Sequence, residues 1–235
     1  MTTVSILQPG YIPWLGFFEQ MDYADIFVVY DDVQYDKNGW RNRNRIKTPQ
    51  GIQWLTIPVL TSSRMGQLVN EVEVDNRTNW RSKHIKAIEL NYKKAPFFND
   101  YFPFFEDVFS REWTKLIHCD MFIIYKIREI LGINKPLFYS SKLLSKGKNT
   151  DRLISMCKEL NADEFYEGSA GRNYIDDKIF EDNGIKITYQ DYQHPVYPQL
   201  YGDFIPYLSV IDLIFNCGKE SLKTIQNKNI SSGLS

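Results

Sequence analysis

The sequence predicts an α/β protein whose Rossmann-like, mostly parallel sheet is flanked by helices and carries an inserted β-hairpin and a helical segment. The first observation is the opening stretch, in which apolar strands at 4–7 and 26–30 enclose a helix-like segment at 15–23. The second is a hairpin pattern at 42–59, with two arms around a TPQG turn. The third is helical spacing over 79–130, after which strands resume. Strand, helix and strand in this order outline a parallel βαβ unit.

The first strand stops at Gln8, and the turn that follows contains Pro9 and Pro13, which exclude a helix there. Apolar residues at near-helical spacing then predict the first helix. Further patterns predict a strand at 68–74, helices at 79–92, 100–109 and 112–130, strands at 136–140, 164–166 and 185–189, and helices at 152–160 and 208–215. Gly132 is the predicted stop of the long helix at 112–130.

The chain shows no internal repeat and no long linker. We therefore expect a single domain over 1–228, with a helical insertion at about 77–132 and a disordered tail at 229–235. Phe102 and Phe104 fit either a homo-oligomer surface or the core, and both interpretations stay open.

Composition and charge favour a globular protein outside the nucleic-acid-binding class. Of the 235 residues, 43% are hydrophobic and 24% are charged, which is ordinary for a folded chain. The formal net charge of -1 lacks the basic excess of nucleic-acid-binding proteins, so we expect no nucleic-acid partner. Aromatic residues make up 15% of the chain, which favours a ligand with flat ring faces, such as a sugar or a base.

Several patterns predict a cytoplasmic protein. No apolar run approaches the roughly 20 residues of a spanning helix, so we expect no membrane insertion. The N-terminus shows no signal-peptide pattern. Cys119, Cys157 and Cys217 are widely spaced without a CxxC pair, so we expect neither a disulfide framework nor a structural metal. Unpaired thiols fit a reducing cytosol.

Two adjacent carboxylates, Asp31 and Asp32, follow the second strand of the predicted sheet. Ligands of open parallel sheets collect at the carboxyl ends of the strands. An aspartate there often closes a turn, but the Arg- and Asn-rich segment that follows favours a functional role. In a strand, the alternation puts Arg41, Arg43 and Arg45 on one face. They would there either hold phosphate or carboxylate groups or pair with nearby aspartates.

His84 and His194 are the candidate general bases, because unperturbed histidine titrates near neutrality. His84 lies on one predicted helix face with a tryptophan and an isoleucine, a position at which histidine is more often a hydrogen-bonded core residue. His194 lies in an aromatic and polar loop at 192–199, a composition that favours function over packing. His118 falls inside a predicted helix and is interpreted as core.

Two later loops are weaker candidates for ligand binding. The Gly/Ser-rich loop that contains Ser169 follows a predicted strand and is a second candidate for the ligand end of the sheet. A basic loop at 141–148 leads into a predicted helix, whose N-terminus favours anions, although many surface connections have this composition. No GxxxxGK[ST] motif occurs, which excludes a Walker phosphate loop.

Several long motifs of unusual composition run through the chain. They include QPGYIPWLGFF, YDDVQYDKNGWRNRNRIK, WLTIPV, NYKKAPFF, HPVYPQ and FIPYLSVIDLIFNCG, between Gln8 and Gly218. Together they resemble the WbqC-like protein family, which is named from genes in bacterial O-antigen and other surface-polysaccharide clusters. The resemblance implies a role in lipopolysaccharide or related biosynthesis, on an activated sugar or its acyl or amino substituent. It leaves the reaction open.

The opening of the chain is also loosely similar to that of HIGH-type nucleotidylyltransferases. Those enzymes place two histidines at the first helix to stabilise phosphoryl charge. The corresponding stretch here, at 11–16, contains no histidine. The similarity therefore implies a nucleotide-binding layout without adenylyl transfer by those residues, and fold analogy alone is a weak guide to function.

Three hypotheses follow. The preferred one is a transferase that acts on a nucleotide-linked amino sugar and moves an acyl or aminoacyl group. In it a histidine takes a proton from the attacking amine, Asp32 orients that base, and Arg43 and Arg45 hold phosphate. The second is a nucleotidylyltransferase-like enzyme using ATP and Mg²⁺, with the ion held by Asp31 and Asp32. The third is a non-catalytic partner that binds a sugar nucleotide through aromatic side chains.

The predicted site residues form two groups. The predicted catalytic residues are His84, His194 and Asp32. The predicted substrate-binding residues are Gln8, Tyr11, Trp14, Asp31, Gln34, Trp40, Asn42, Arg43, Arg45, Ser169, Tyr197 and Gln199. No metal ligand set is predicted, and the cofactor stays unknown apart from the acyl or aminoacyl donor of the first hypothesis.

Overall fold

A parallel sheet forms the centre of the protein. The computed structural model describes residues 1–37, 39–62, 64 and 66–226. The strands are β1 (Thr3–Leu7), β2 (Ile26–Val29), β3 (Arg43–Thr48), β4 (Gly51–Thr56), β5 (Leu137–Tyr139), β6 (Glu164–Glu167) and β7 (Lys186–Tyr189). The main sheet has five strands in the order β5-β2-β1-β6-β7, all paired in parallel. Chain order reverses between β1 and β6, which confirms the predicted Rossmann-like arrangement.

Helices surround this sheet. They are α1 (Leu15–Tyr23), α2 (Trp80–Tyr92), α3 (Phe98–Ser110), α4 (Leu116–Leu131), α5 (Asn149–Glu159), α6 (Asp177–Asp182), α7 (Val210–Cys217) and α8 (Ser221–Ile225). As predicted, α4 ends at Gly132, whose φ of 73° lies in the left-handed region that glycine adopts readily. None of the helices in the described ranges combines the length and apolarity of a membrane span.

The predicted strand at 68–74 is wrong. Val69–Glu71 forms a single 3-10 turn, and Leu68 and Val74 make isolated bridges to Gln34 and Val59. The apolar residues of this segment therefore pack from a turn instead of alternating along a strand. Helix α6 was not predicted, because its six residues are too few to show helical spacing.

Hydrophobic side chains pack on both faces of the sheet. Successive residues of a strand point to opposite faces. On β2, Phe27 and Val29 join a large cluster with residues of α1 to α4 and α7, whereas Val28 joins a smaller cluster with α5 and α6. Helices thus cover both faces, as expected for a parallel sheet.

The inserted hairpin and helices lie between β2 and β5 in the chain. β3 and β4 pair antiparallel, with Arg43 opposite Thr56 and Arg45 opposite Trp54. This confirms the hairpin, and Gly51 closes its turn with a φ of 108°. The division into one domain at 1–228 with a helical insertion at 77–132 stays a prediction. The tail predicted at 229–235 lies outside the described residues.

Candidate ligand-binding cleft

A cleft of about 1050 Å³ lies at the carboxyl ends of β1, β2 and β6. Gln8 follows β1, Asp32 follows β2, and Glu167 ends β6. The start of α5 forms the opposite wall, with Lys148, Asn149, Thr150 and Arg152. We call this space the polar compartment. It occupies the place where the chain order of the sheet reverses, and open parallel sheets bind ligands there.

A second cavity of about 370 Å³ adjoins the first, because Leu7, Gln8 and Arg41 line both. Its remaining walls are largely aromatic and apolar: Trp14, Phe17, Trp40, Tyr207, Gly10 and Pro13, with Asn44 and Arg45. We call it the aromatic compartment. The two compartments therefore adjoin at the three shared residues, and we refer to them together as the cleft.

The main chain fixes the boundary between the compartments. The Tyr11 N–H donates to the Arg41 carbonyl at 3.0 Å, and the Asn44 amide donates to the Ile12 carbonyl at 2.7 Å. A Cβ at Gly10 would lie 2.8 Å from the Trp40 carbonyl oxygen, so this approach requires glycine. The loop after β1 and the segment before β3 are therefore in direct main-chain contact.

Arg41 and Gln8 place polar groups where the compartments meet. The Arg41 guanidinium donates to the carbonyls of Gln8 at 2.7 Å and Pro9 at 3.1 Å. Burial lowers the pKa of Arg41, against the opposing influence of Asp120 and Asp36. Its Nε and the Oε1 of Gln8 are buried without a hydrogen-bond partner among the described residues. Buried polar groups of this kind call for a partner, and a bound ligand would supply one.

Asp31 and Asp32 have different surroundings. Asp31 is buried and accepts hydrogen bonds from the Ser141 N–H at 2.9 Å and the Ser141 hydroxyl at 2.7 Å. It thereby closes the 3-10 turn Ser140–Lys142. Asp32 lines the polar compartment and forms an ion pair with Arg152. Of the two adjacent carboxylates, Asp32 is therefore the one that lines this cleft.

Glu167 is a cleft carboxylate that the sequence analysis missed. Its Oε1 accepts the Gly168 N–H at 3.0 Å and the Tyr174 hydroxyl at 3.4 Å. Burial raises the pKa of Glu167 to about 7, although both hydrogen bonds oppose the rise. A carboxyl that titrates near neutrality can accept a proton at physiological pH. In the sequence, the only pointer was its place at the start of the Gly/Ser-rich loop.

His84 and Tyr11 lie together in the core. The Tyr11 hydroxyl and His84 Nδ1 are 2.8 Å apart, and the rings of Trp80 and Phe109 pack edge-on against the imidazole. Burial lowers the pKa of His84 to about 4, despite a hydrogen bond to the Thr56 backbone. Neither His84 nor Tyr11 is among the residues that line the cleft.

His194 lies behind the aromatic wall of the cleft. Its ring centroid is 5.0 Å from that of Tyr207, a residue of the aromatic compartment. Burial lowers the pKa of His194, while a hydrogen bond to the Pro195 carbonyl opposes this. Its Nε2 is buried and has no hydrogen-bond partner within the described ranges.

Tyr197 and Gln199 belong to a buried polar network beside α7. The Tyr197 hydroxyl donates to Asp212 at 2.9 Å, and Lys47 Nζ donates to Gln199 Oε1 at 3.0 Å. Tyr92 donates to the other Asp212 oxygen at 2.8 Å. Burial raises the pKa of Asp212 to about 6, against these hydrogen bonds. The network joins β3, α2 and α7 and is not part of the cleft lining.

Of the remaining predicted site residues, some line the cleft and others do not. Gln34 lines the polar compartment. Trp14, Trp40 and Arg45 line the aromatic compartment. Ser169 is exposed and lies outside the lining, and the buried Asn42 donates to the Ile57 carbonyl at 2.8 Å.

The three arginines predicted on one face are separated. β3 begins at Arg43, so Arg41 precedes the strand and turns toward the loop after β1. Arg43 and Arg45 share a face with Trp54, and the Arg45 guanidinium donates to the Tyr207 carbonyl at 2.6 Å. Within the described residues, no group of three or more His, Cys, Asp or Glu side chains is arranged to hold a metal ion.

The sequence was compared with known families, curated proteins and solved structures. The profile of the WbqC-like protein family matches residues 8–224. The uncharacterized protein Rv1507c of Mycobacterium tuberculosis is 39% identical over 224 residues, which cover 94% of this chain and 96% of that protein. No solved structure matches significantly. The matched residues include every residue that lines the cleft except Ile6 and Leu7, and the chain belongs to the WbqC-like protein family.

Proposed function

We propose that this protein is a transferase of bacterial surface-polysaccharide biosynthesis that binds a nucleotide-linked amino sugar in the cleft. The observation that carries the proposal is that a polar and an aromatic compartment adjoin at Leu7, Gln8 and Arg41. The start of α5 has no side-chain cap, and free helix N-termini bind phosphate. Aromatic faces stack on flat rings and on sugars. A nucleotide sugar carries both kinds of group on one molecule.

The residues have separate roles in this proposal. Lys148 and the first N–H groups of α5 bind the phosphates. Trp14 and Trp40 stack on the sugar or the base, and the Arg41 Nε donates to the ligand where the compartments meet. The protein is cytoplasmic in this proposal and has no nucleic-acid partner.

Glu167 is the proposed base in place of either histidine. In the acyl or aminoacyl transfer, the sugar amine attacks the acyl carbon, a C–N bond forms, and the bond to the donor breaks. The amine loses a proton in this step, and Glu167 accepts it. A base is most effective when its pKa lies near the working pH, which Glu167 satisfies.

A thermal-shift panel tests the proposal. The ligands are UDP- and dTDP-linked amino sugars, acyl-CoA species and ATP, each with and without Mg²⁺. A ligand at about 100 times its Kd stabilises the folded state by about 2.7 kcal/mol, because it binds that state alone. We expect stabilisation by a nucleotide amino sugar without Mg²⁺.

Matched variants make the test specific. Lys148→Ala removes the cation assigned to the phosphates and should strongly reduce the shift. Arg77→Ala is the control, because Arg77 is highly exposed, pairs with Asp75 and lies outside the cleft lining. A shift that requires both ATP and Mg²⁺ would favour nucleotidyl transfer, for which Asp32 is the available carboxylate. Stabilisation by none of the ligands would contradict the proposal.

A further inference from the structure

Trp40 and Trp54 form an exposed pair of rings at the rim of the aromatic compartment. Each residue is 45% exposed, and the ring centroids are 5.2 Å apart with an interplanar angle of 32°. Trp40 lines the compartment, whereas Trp54 is absent from its lining. The pair, which we call the tryptophan platform, therefore extends the cleft onto the outer face of the hairpin.

Two arginines hold the tryptophan platform in place. The Arg45 Cζ lies 5.1 Å from the Trp40 ring centroid and 5.8 Å from that of Trp54. The Arg43 Cζ lies 4.9 Å from the Trp54 centroid. These are cation–π distances, so positive charge stands directly beside exposed ring faces. Because the backbone carbonyl of Tyr207 also holds Arg45, the surface is ordered before a ligand arrives.

We propose that the tryptophan platform binds an acidic oligosaccharide as a second ligand of the transferase. This inference goes beyond the proposed function, in which the amine of the nucleotide-linked sugar accepts the acyl group. The negative face of an indole attracts the C–H groups of a sugar ring, and two adjacent indoles offer room for more than one sugar. Guanidinium groups favour carboxylates, which gives the surface charge complementarity to uronic acids.

The position of the platform places the glycan next to the cleft. A chain that lies on Trp54 ends beside Trp40, whose indole forms part of the wall of the aromatic compartment. Its sugars lie outside the nucleotide-binding part of the cleft. The platform thus distinguishes a polymeric or oligomeric glycan from a free monosaccharide.

The test compares binding of an oligogalacturonate hexamer with binding of maltohexaose, which is neutral, by titration calorimetry. We expect the acidic hexamer to bind at least ten times more tightly than the neutral one. Trp54→Ala should weaken the acidic hexamer at least tenfold. Tyr125→Ala, which removes an exposed aromatic from α4, is the control and should leave binding unchanged. Equal affinities of both saccharides, or wild-type affinity in Trp54→Ala, would overturn the proposal.

Failure of this inference is separable from failure of the proposed function. Trp54 is outside the cleft lining, so Trp54→Ala should retain the thermal shift with the nucleotide sugar. Loss of that shift in Trp54→Ala would assign Trp54 to the nucleotide-sugar site and overturn the glycan-binding role. A dimer that is seen by sedimentation, is dissociated by Trp54→Ala and does not respond to saccharide would overturn it in favour of a second copy. Saccharide binding without any nucleotide-sugar shift would support the platform and refute the proposed nucleotide-sugar ligand.

Discussion

Burial shifts the ionisation of Glu167 and His84 in opposite directions. Removal from water disfavours the charged form, so the pKa of the carboxyl rises to about 7 and that of the imidazole falls to about 4. Both groups are therefore held neutral over part of the pH range in which a solvated group would be charged. Glu167 lines the cleft, whereas His84 contacts core aromatics. Burial thus shifts the pKa of one group that faces the cleft and of one group that is enclosed in the core.

Glu167→Gln should change how stability depends on pH. The folded pKa of about 7 exceeds the ordinary 4.5, so the folded state holds a proton that the unfolded state releases. The wild-type free energy of unfolding should fall as pH rises from about 4.5 to 7, by up to about 3 kcal/mol relative to Glu167→Gln. Urea denaturation of both proteins at several pH values measures this. Parallel pH profiles would show that Glu167 has an ordinary pKa.

His84 should have the opposite pH dependence. Its folded pKa of about 4 lies below the ordinary 6.5, so stability is complete above 6.5 and is lost as pH falls toward 4. We expect the imidazole NMR shifts of His84 to stay those of the neutral ring between pH 5 and 8. His118, which is exposed on α4 and not in the core as its sequence position suggested, is the internal control in the same spectrum. A His84 titration near pH 6.5 would contradict the enclosed position.

Residue type was easier to predict from the sequence than side-chain direction. The residues after β1 and β2, such as Gln8 and Asp32, were predictable because polar groups at strand ends face the ligand side. Tyr11 and Asn42 were predicted to bind substrate, but they contact His84 and the Ile57 carbonyl. Their types suit a site and a buried hydrogen bond equally well. Only the tertiary packing distinguishes the two.

At the scale of elements, the hairpin and the loop after β1 form one supporting unit. Asn44 on β3 donates to two carbonyls of that loop, those of Tyr11 and Ile12. Ile12 has a φ of 44°, an unusual value for a branched residue. The hydrogen bonds from Asn44 therefore hold a strained part of the loop, which carries Trp14 into the cleft wall.

Asn44→Ala should destabilise the protein by about 1–3 kcal/mol, because buried carbonyl oxygens lose their donor. Chemical denaturation measures the change. Gln53→Ala is the control, since Gln53 is an exposed residue of β4 in the same hairpin. We also expect Asn44→Ala to weaken nucleotide-sugar binding, because the loop carries a cleft wall. Equal stabilities of the two variants would show that the Asn44 bonds are unimportant.

Elements with regular periodicity were predictable, and the irregular segment was not. The polar alternation of β3, the turn residues at 48–51 and the helical spacing of α4 identify these elements in the sequence. At 68–74 the apolar residues pack from a 3-10 turn and isolated bridges, whose contacts come from Gln34 and Val59 far along the chain. A local pattern contains no information about such partners.

For the whole molecule, the cleft depends on segments far apart in sequence. The loop after β1, the end of β6 and the start of α5 meet because parallel pairing brings the strand ends to one edge of the sheet. The fold class and this edge could be predicted from alternating strands and helices. The second, aromatic compartment could not, because it arises where an inserted hairpin packs against the first loop.

A bound nucleotide sugar should protect these distant segments together. We expect hydrogen exchange to slow at 8–10 and at 147–152 on addition of the ligand, since residues of both segments line the cleft. Amides of α3, whose residues do not line it, should be unchanged. Mass spectrometry of peptic fragments measures all three regions in one experiment. Protection of one segment without the other would show that the ligand occupies a single compartment.

The close approach of Gly10 to the Trp40 carbonyl affects which residues of the cleft can be substituted. The loop after β1 and the segment before β3 contact each other through main-chain atoms. The backbone conformation of both segments therefore depends little on the side chains around them. The exposed side chains of Trp40 and Tyr207 can then be replaced while this main-chain contact is retained. We therefore expect single substitutions at the rim to change ligand preference without moving these two segments, whereas a side chain at Gly10 would displace the Trp40 carbonyl.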